Sequence, residues 1–470
     1  MYQMLSIGNI VGLNEVDGIR MQKLIDVYNY HLTKNTIKNR YYEGKVTLSE
    51  VNLGIALPQG MQRLEVGCAW GAKTVDVLAG LSMFDGFVGS SGNDVEAVSD
   101  IVDGNRLISE YMKACRDELK YGCTFATLSA DDRIGCRICF HSPESAAAMW
   151  SGEKGRLDYG FAIIDTIPSD NITVLEPTLI NLYTDDAIVV LHRSDYKWEA
   201  EYHPHGMGRP LMEPLIWDAT SSKPFGRSRI KFSIRELIKG YVRTMANAAI
   251  ALEFSTAPQK YLLGITDEQY DVVVNQKFKQ YVGSILAATT NPETGEKPTF
   301  GQFQQGSLSA HMEELRALAT QFSAATGLTV VDTGVVNDSN PTSSDAILAQ
   351  SKTLIGLAEQ LNAGNGDALR MIMMMAQAIA LGTDLEGLSD AQRDIVAHFK
   401  SPSMPSIAVT ADAAIKIASA RPEFAGTDVF MEMVGFDQAG IRRIKAQEQR
   451  IRGVQTLRTI EETEEAGVAE

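Results

Sequence analysis

The stretch FGRSRIKFSIRELIKGYVRTMANAAIALEFSTAPQKYLLGI, residues 225–265, decides how the chain is divided. Ser233 is predicted to be the N-cap of a long helix, and Glu236 completes a capping box. Pro258 ends that helix, because proline lacks an amide hydrogen and disfavours helical geometry in the residue before it. About 22 helical residues at about 1.5 Å each predict a rod of roughly 33 Å. Its apolar residues recur every three or four positions and share one face: Ile234, Leu237, Ile238, Tyr241, Val242, Met245, Ala249 and Leu252.

Length and charge exclude several classes of protein. A chain of 470 residues is long enough for two to four domains with their own cores. It carries 43 basic and 59 acidic residues, a net charge of −16, which argues against a tight grip on nucleic acid. The same charge is compatible with a surface past which DNA slides. The five irregularly spaced cysteines indicate a reducing compartment, and the sequence has neither a run of 18 apolar residues nor a signal-peptide pattern.

The residues before this stretch are predicted to form helices first and antiparallel strands afterwards. An amphipathic helix with Val16, Ile19 and Leu24 on its apolar side ends at the glycine of YYEG, residues 41–44. Short alternating apolar runs between Thr124 and His192 indicate strands or hairpins. The other predictions are a helix over Leu64–Leu81, a turn at FDGF (84–87), one helix over 94–120 and a loop-rich segment over 193–224.

The residues after it are predicted to alternate between helices and a small mixed module. A helix from Ser309 to Thr326 ends at Gly327 as its C′ residue, and a long polar loop follows. A further helix is predicted to be interrupted by NAGNG, residues 362–366, because glycine pairs cause kinks. The remaining predictions are strands at 258–265 and 284–289, a helix at 266–281, a polar turn at 291–300, a strand PSIAVT at 405–410, helices at 411–424 and 437–453, and an acidic tail.

Four local patterns invite a chemical interpretation, and each has a structural alternative. GCAWGAKT, residues 67–74, is close to a phosphate-binding loop but has the wrong glycine spacing, which favours a plain helix. Cys136-x-x-Cys139 suggests a metal site, although on a strand these positions point to opposite faces. His203 and His205 are close enough to share a metal, or lie in a solvated turn. The run Met371–Met375 is either core filler or an adaptable subunit interface.

The order of these elements resembles the portal proteins of long-tailed phages. GRSRI, a long helix, APQKYLLGI, a second helix, the loop phrase TGVVNDSNPTSSDAI and a long helix after it carry the likeness, which spans residues 10–450. The resemblance implies an α+β fold with portal-like regions. These are a wing at 1–228, stem helix 1 at 229–257, a clip at 258–307, stem helix 2 at 308–327, a tunnel loop at 328–342, a long kinked helix with the rest of the wing at 343–400, a helical crown at 401–453 and an acidic flexible tail at 454–470.

The same resemblance implies a function without catalysis. The expected assembly is a ring of twelve subunits at one capsid vertex, the head–tail connector through which double-stranded DNA is packaged and ejected. The expected partners are the terminase large subunit, a head-completion or adaptor protein, and the major capsid and scaffolding proteins, in the host cytoplasm during assembly and then in the virion. The likeness assigns DNA-facing positions in the tunnel loop to Val335, Val336, Asn337, Asp338, Ser339 and Asn340. Clip positions that dock partners are Glu293, Thr294, Glu296 and Lys297.

Two other classes of function remain as alternatives. One is a helical scaffold or adaptor of a viral particle that has no DNA channel. The other is an enzyme, for which the sequence offers no G-x-S-x-G, H-E-x-x-H, intact Walker loop or dinucleotide fingerprint. We therefore expect no catalytic residue, metal, cofactor or membrane segment.

Overall fold

The protein is α+β, and its structure is a computed structural model. Our description covers residues 4–8, 10–46, 66–89, 96–168, 174–194, 197–256, 260–263, 295, 297, 299–302, 308–335, 344–403, 407–436, 440–441 and 443–454. The helices are α1 Glu15–Tyr42, α2 Trp70–Leu81, α3 Glu96–Gly104, α4 Leu107–Tyr121, α5 Phe232–Thr256, α6 Ser309–Thr326, α7 Ser344–Leu381, α8 Asp390–Arg393, α9 Ile407–Ala420 and α10 Asp428–Val434. The backbone is also helical at 440–441 and 443–454.

The strands belong to four sheets. The largest has the order β1-β9-β8-β7-β6-β5, another has the order β10-β3-β4, and two pairs, β11-β12 and β13-β2, complete the set among the described residues. The strands are β1 Ile10–Val11, β2 Phe84–Gly89, β3 Cys123–Asp131, β4 Gly135–His141, β5 Ala146–Ser151, β6 Arg156–Pro168, β7 Leu175–Tyr183, β8 Ala187–Ser194, β9 Lys197–Pro204, β10 Met212–Ile216, β11 Lys260–Leu263, β12 Thr299–Gln302 and β13 Ile395–Phe399.

The chain divides into two compact units. The first contains Met1–Asn39, Thr74–Lys231 and Leu348–Glu470, and the second contains Arg40–Lys73 and Phe232–Ile347. In the first unit, α1 covers one face of the six-stranded sheet. The side chains that form this core are Leu5, Met21, Leu24, Ile25, Tyr28, Leu32, Ala147, Tyr159, Phe161, Ile163, Ile180, Leu182, Val189, Leu191 and Trp198. Val16 and Ile19, predicted to share the buried face of α1, are instead 59% and 53% exposed.

The segment GRSRI, residues 226–230, is fixed to the first unit by its backbone and side chains. Gly226 has a φ of +66°, and a Cβ there would overlap the carbonyl oxygen of Trp217, so only glycine fits. The Ser228 hydroxyl donates to the carbonyl oxygen of Lys120 at 2.5 Å. The buried Arg229 donates from Nε to the carbonyl oxygen of Thr74 at 2.7 Å. These contacts set where the chain leaves the first unit before α5 begins.

The second unit contains α5, α6 and the β11-β12 pair, together with the end of α1 and the start of α2. Helix α1 ends as YYEG predicts, since Gly44 has a φ of +69°. A Cβ at Gly71 would overlap the carbonyl oxygen of Tyr41, so this glycine permits the close approach of α2 to the end of α1. That contact gives GCAWGAKT a structural role, and the helix there begins at Trp70, not at Leu64.

Several predictions in the first half of the chain are wrong at their boundaries. FDGF is not a turn but the start of β2, which pairs with β13 more than 300 residues later. The helix predicted over 94–120 is two helices, because Asn105 turns its amide to β4 and bonds to the backbone of Cys136 and Ile138. Arg106 then adopts a left-handed φ of 50°. The loop-rich segment 193–224 contains β9 and β10, whose Met212 and Leu215 are fully buried.

Helix α7 is continuous through NAGNG, where an interruption was predicted. It runs for 38 residues from Ser344 to Leu381. Asn365 is buried within it and donates from Nδ2 to Tyr111 Oη at 2.9 Å and to Glu118 Oε2 at 2.8 Å. A polar side chain that has buried partners stabilises the helix at the point where the glycines weaken it. Farther along, Met373 and Met375 are fully buried, which favours the core interpretation of the methionine run.

Two other predictions, the strand PSIAVT and the capping box of α5, are wrong, and the bounds of α6 and its C′ glycine are confirmed. The described part of PSIAVT belongs to helix α9, because the alanine-rich residues after it favour a helix. Helix α5 begins at Phe232, so Ser233 lies in its first turn and Glu236 pairs with Lys239 at 2.8 Å instead of closing a capping box. Helix α6 has the predicted bounds, and Gly327 has the left-handed geometry of a C′ residue. Among the described residues, no helix is long and apolar enough to cross a membrane.

Candidate functional site: the α5–α6 helix pair and the loop after it

Helices α5 and α6 pack against each other in antiparallel orientation. Gly240 on α5 faces Leu318, and a Cβ at Gly240 would lie 3.1 Å from Leu318 Cδ2. Three residues farther along α5, Arg243 reaches Glu314, four residues earlier on α6, at 3.7 Å. The opposite order of these contacts defines the antiparallel arrangement. The absence of a side chain at Gly240 lets the two helices approach closely.

The apolar stripe of each helix is buried only in part. On α5, the predicted Ile234, Ile238 and Val242 are buried, whereas Leu252 is 53% exposed. On α6, Leu315, Ala319 and Phe322 are buried, but Met312 is 50% exposed. Ala246 and Ile250, which the sequence analysis missed, complete the buried line on α5. Each helix therefore buries one narrow stripe within its unit and exposes apolar side chains outside it.

Trp70 joins the helix pair to the start of the following loop. Its ring stacks on Phe322 of α6 with centroids 4.5 Å apart and lies 4.7 Å from the ring of Tyr241 on α5. Its indole Nε1 donates to the carbonyl oxygen of Thr333 at 3.0 Å, and this bond is buried. One side chain thus contacts both helices and the loop, which fixes the direction in which the loop leaves α6.

The first residues of the loop form a short 3-10 turn with its own hydrogen bonds. Asp332 Oδ2 accepts from the Thr329 amide at 2.9 Å and from its hydroxyl at 2.8 Å. The Thr333 hydroxyl donates to the carbonyl oxygen of Val330 at 2.6 Å. Gly334 follows with a φ of +74°, and the Val335 amide donates to Thr333 Oγ1 at 3.4 Å. The base of the loop is therefore ordered by local contacts up to Val335.

The charges on this pair are compensated locally. On α5, Glu236 pairs with Lys239, and this hydrogen bond raises the pKa of the lysine. Arg243 and Glu314 form an ion pair between two half-exposed side chains, which contributes little stability in water. Burial raises the pKa of the Tyr241 phenol. The helix pair thus carries no strong positive charge, unlike a surface that grips phosphates.

Most of the site residues predicted from the sequence lie outside the described residues. In the tunnel-loop set, Val335 is half-buried at the end of the ordered turn, and Val336, Asn337, Asp338, Ser339 and Asn340 are outside the description. In the clip set, Lys297 is exposed, and Glu293, Thr294 and Glu296 are outside it. The predicted helix at 266–281 and strand at 284–289 fall in the same undescribed part. The polar turn predicted at 291–300 ends in β12.

The positions of the cysteine and histidine pairs decide between a metal site and a structural role. Cys136 is buried and Cys139 is exposed, so the two thiols point to opposite faces of β4. His203 is not in a turn but on β9, where its Nε2 lies 3.6 Å from Glu201, while His205 follows the strand. No group of three or more potential metal ligands occurs in the part of the chain that the structure describes.

Trp70 and Thr333 are functional-site candidates that the sequence did not reveal. Trp70 lies in a motif whose glycine spacing drew attention to nucleotide binding, and Thr333 lies 263 residues later. Neither residue carries a local pattern that indicates a contact over this distance. The sequence shows a tryptophan next to a glycine, but only the structure shows that Trp70 is buried at the start of a helix and serves as an anchor.

Comparison with known proteins gives a family. No curated protein matches the chain. Two similar solved structures are the neck of a native GTA particle computed with C12 symmetry, at 11% identity and a TM-score of 0.44, and the neck of an empty GTA particle computed with C6 symmetry, at 12% and 0.42. They cover 78% and 82% of this chain and 89% and 95% of their own.

The family match covers nearly the whole chain. Residues 20–451 match the family described as "Phage portal protein, SPP1 Gp6-like". That family is structural rather than catalytic. The match includes both units, the helix pair, the loop base and the C-terminal helices. The chain is therefore a member of the phage portal protein family.

Proposed function

We propose that the chain forms a ring at one vertex of a phage capsid and that double-stranded DNA passes through this ring during packaging and ejection. Family membership supports the assignment, and the observation that carries it is the antiparallel α5–α6 pair with a loop anchored at its base. The pair supplies two long rods per subunit, and repeated around an axis they surround a channel. The proposed ring has twelve subunits.

We assign the regions of this portal from the family likeness, and the bounds of α5 and α6 support the assignment. Stem helices correspond to α5 and α6, and residues 258–307 between them form the clip. Residues 328–342 form the tunnel loop, and 343–400 provide the long helix with the rest of the wing begun by 1–228. The crown is 401–453, and the acidic tail is 454–470.

Trp70 supports a defined role for the tunnel loop. Because it fixes Thr333 to both helices of the pair, the loop beyond Val335 starts from a firm base. We assign Val335 and residues 336–340 to the DNA-facing part of this loop. A loop with a rigid base contacts passing DNA without a permanent bond to the phosphates.

The net negative charge of the chain fits a channel through which DNA moves rather than a surface that binds DNA tightly. A surface that neutralises phosphates releases counterions and binds tightly, which would stop a moving duplex. With a net charge of −16 per chain, the protein as a whole repels the phosphate backbone. The motor that drives DNA is then a partner, the terminase large subunit, docked at clip residues 293–297, and a head-completion protein takes its place after filling. The proposed location is the portal vertex of the virion, with contacts to capsid and scaffolding proteins.

Electron microscopy of the purified protein tests the ring, and a loop deletion tests the channel. Negative-stain images are expected to show rings with a central hole. Solely monomers or small compact oligomers at high concentration would contradict the ring. Deletion of 335–340 is expected to leave rings intact and to abolish nuclease-protected DNA in capsids. As a control, Glu153→Ala in the exposed turn between β5 and β6 keeps the length of that turn and is expected to keep packaging. A scaffold or adaptor without a channel predicts normal function after the loop deletion, so protected DNA in that variant would favour this alternative.

A further inference from the structure

A cavity of about 300 Å³ in the first unit is lined by basic side chains and by no acidic ones. It lies between the C-terminal half of α1 and the segment that precedes α5. Its charged or chargeable basic side chains are His31, Lys34, Lys38, Lys223 and Arg227, and no Asp or Glu is among its lining residues. In a chain with a net charge of −16, this composition is the reverse of the average surface. We call this feature the cationic cavity.

The positive charges come from two sides. His31, Lys34 and Lys38 are spaced by three and four residues and so share one face of α1. Lys223 and Arg227 are exposed on the segment opposite. Among the described residues, neither of these two cations forms an ion pair with a carboxylate. Like charges held close together repel one another, and a bound anion relieves that repulsion.

The inner wall of the cavity is apolar and aromatic. Val27 of α1, Phe125 of β3 and Phe225 contribute to it, and the two phenylalanine rings meet edge to face with centroids 6.0 Å apart. The Trp150 ring also meets Phe225 edge to face, with centroids 6.0 Å apart. An apolar wall with a few charged groups at the mouth is the usual composition of a ligand pocket. An inorganic anion would leave this wall unfilled, so the fitting ligand has an apolar group as well as negative charges.

His31 reports the electrostatic state of the cavity. Burial, followed by the nearby Lys34 and Lys38, holds the pKa of its imidazole below the usual value. The side chain is therefore neutral at pH 7, and a carboxylate bound beside it favours the protonated form. Binding of an anion at this position consequently raises the pKa of His31, which NMR can follow.

We propose that the cationic cavity binds an acidic peptide segment that carries an apolar side chain. Clustered basic residues are a common means of recognising acidic motifs, and the apolar wall adds a pocket for one side chain. The partner is a protein rather than a nucleic acid backbone, because an apolar side chain fills the apolar wall that a chain of phosphates would leave unfilled. This inference does not depend on the proposed channel, since the cavity lies wholly within the first unit.

A synthetic peptide of matching chemistry provides the test. TIEETEEAGV, residues 459–468 of this chain, contains one isoleucine and four glutamates and no basic residue. Capped at both ends and labelled, it is expected to bind the full chain in fluorescence anisotropy, and more weakly as salt rises. The matched peptide with every glutamate changed to glutamine is expected to bind at least about tenfold more weakly. Because protein and probe are both acidic overall, non-specific charge attraction does not explain binding.

Charge reversal at the mouth locates the binding. Lys34→Glu combined with Arg227→Glu is expected to weaken binding of the acidic peptide at least about tenfold and to abolish its effect on the pKa of His31. Lys23→Glu, also exposed on α1 but outside the cavity, is the matched control and is expected to leave binding unchanged. If the double variant has a lower melting temperature than the parent, Lys223→Gln is used in its place. This variant neutralises one exposed residue and is also expected to weaken binding. Equal binding of both peptides, no binding of the acidic one, or equal loss in the control overturns the proposal.

Discussion

The indole nitrogen of Trp70 and the carbonyl oxygen of Thr333, 3.0 Å apart, connect the start of α2 to the first turn of the loop after α6. The same ring stacks on Phe322, and the bond is buried beside these two aromatic rings. A hydrogen bond in such surroundings is costly to leave unmade. The loop therefore depends on a side chain far away in the sequence.

Substitution of Trp70 separates the hydrogen bond from the packing. Trp70→Phe keeps most of the stacking and is expected to lower the free energy of unfolding by about 1–3 kcal/mol, because the carbonyl oxygen of Thr333 loses its partner. Trp70→Ala also removes the ring and is expected to cost about 3–5 kcal/mol. Guanidinium unfolding measures both. If both variants lose the same free energy of unfolding, the stacking of the ring contributes nothing beyond the hydrogen bond from its indole nitrogen.

A pair of glycine substitutions tests the segment before α5. Gly226→Ala is expected to destabilise the first unit by at least about 3 kcal/mol, since a positive φ is combined with an overlap on Trp217. Gly206→Ala is the matched control, because nothing lies within 4 Å of the position where its Cβ would stand. It is expected to change stability by no more than about 0.5 kcal/mol. Thermal unfolding compares the two, and similar melting temperatures would refute the steric argument.

The buried Glu118 makes stability depend on pH. Burial raises the pKa of its carboxyl to about 8 in the folded protein, from 4.5 as the ordinary value, although the hydrogen bond from Asn365 opposes the shift. Between these values the folded protein holds a proton that the unfolded chain releases, so this group lowers stability as pH rises from about 4.5 to about 8. Glu118→Gln removes the titration and keeps the shape.

The variant is therefore expected to gain a few kcal/mol relative to the parent at pH 8 and little at pH 4. Urea unfolding at a series of pH values measures the difference. A difference that is constant across this range would mean that Glu118 stays ionised in the folded state or is equally protonated in both states.

The close approach of α5 and α6 at Gly240 is open to a steric test. Gly240→Leu forces a side chain against Leu318 and is expected to destabilise the helix pair by about 1–3 kcal/mol. Ala324→Leu places the same side chain at an exposed position of α6 and serves as the control, with an expected change below about 0.5 kcal/mol. Hydrogen exchange of α5 and α6 amides locates the effect. Unchanged protection in the Gly240 variant would contradict the packing described.

Local sequence signals predicted the elements whose boundaries depend on local chemistry. Helix α6 was predicted at its observed bounds, since its apolar period and the left-handed Gly327 are both properties of one short segment. The end of α1 at Gly44 was predicted for the same reason. The strands between Thr124 and His192 were recognised from short alternating apolar runs that Asp, Gly, Asn and Pro separate.

Contacts between distant residues decided the elements that were predicted wrongly. FDGF contains turn-forming residues, but β13 supplies the pairing that makes it a strand. NAGNG contains helix-weakening glycines, but Tyr111 and Glu118 supply buried partners for Asn365. Trp70 belongs to the candidate site for a similar reason, since its partner Thr333 is not visible in the local sequence. The tunnel-loop and clip assignments stay predictions.

The five thiols of the chain differ sharply in accessibility: Cys139 is exposed, and the other four are buried. Burial raises the pKa of Cys68, Cys123 and Cys136 to about 12, which keeps their sulfur atoms protonated and unreactive. Partial burial also raises the pKa of Cys139, but its side chain is the exposed one of the five, so at mildly alkaline pH it offers a single attachment point for a maleimide dye on the folded protein, without mutagenesis. One fluorophore per polypeptide allows stepwise photobleaching to count the copies in any assembly that the protein builds.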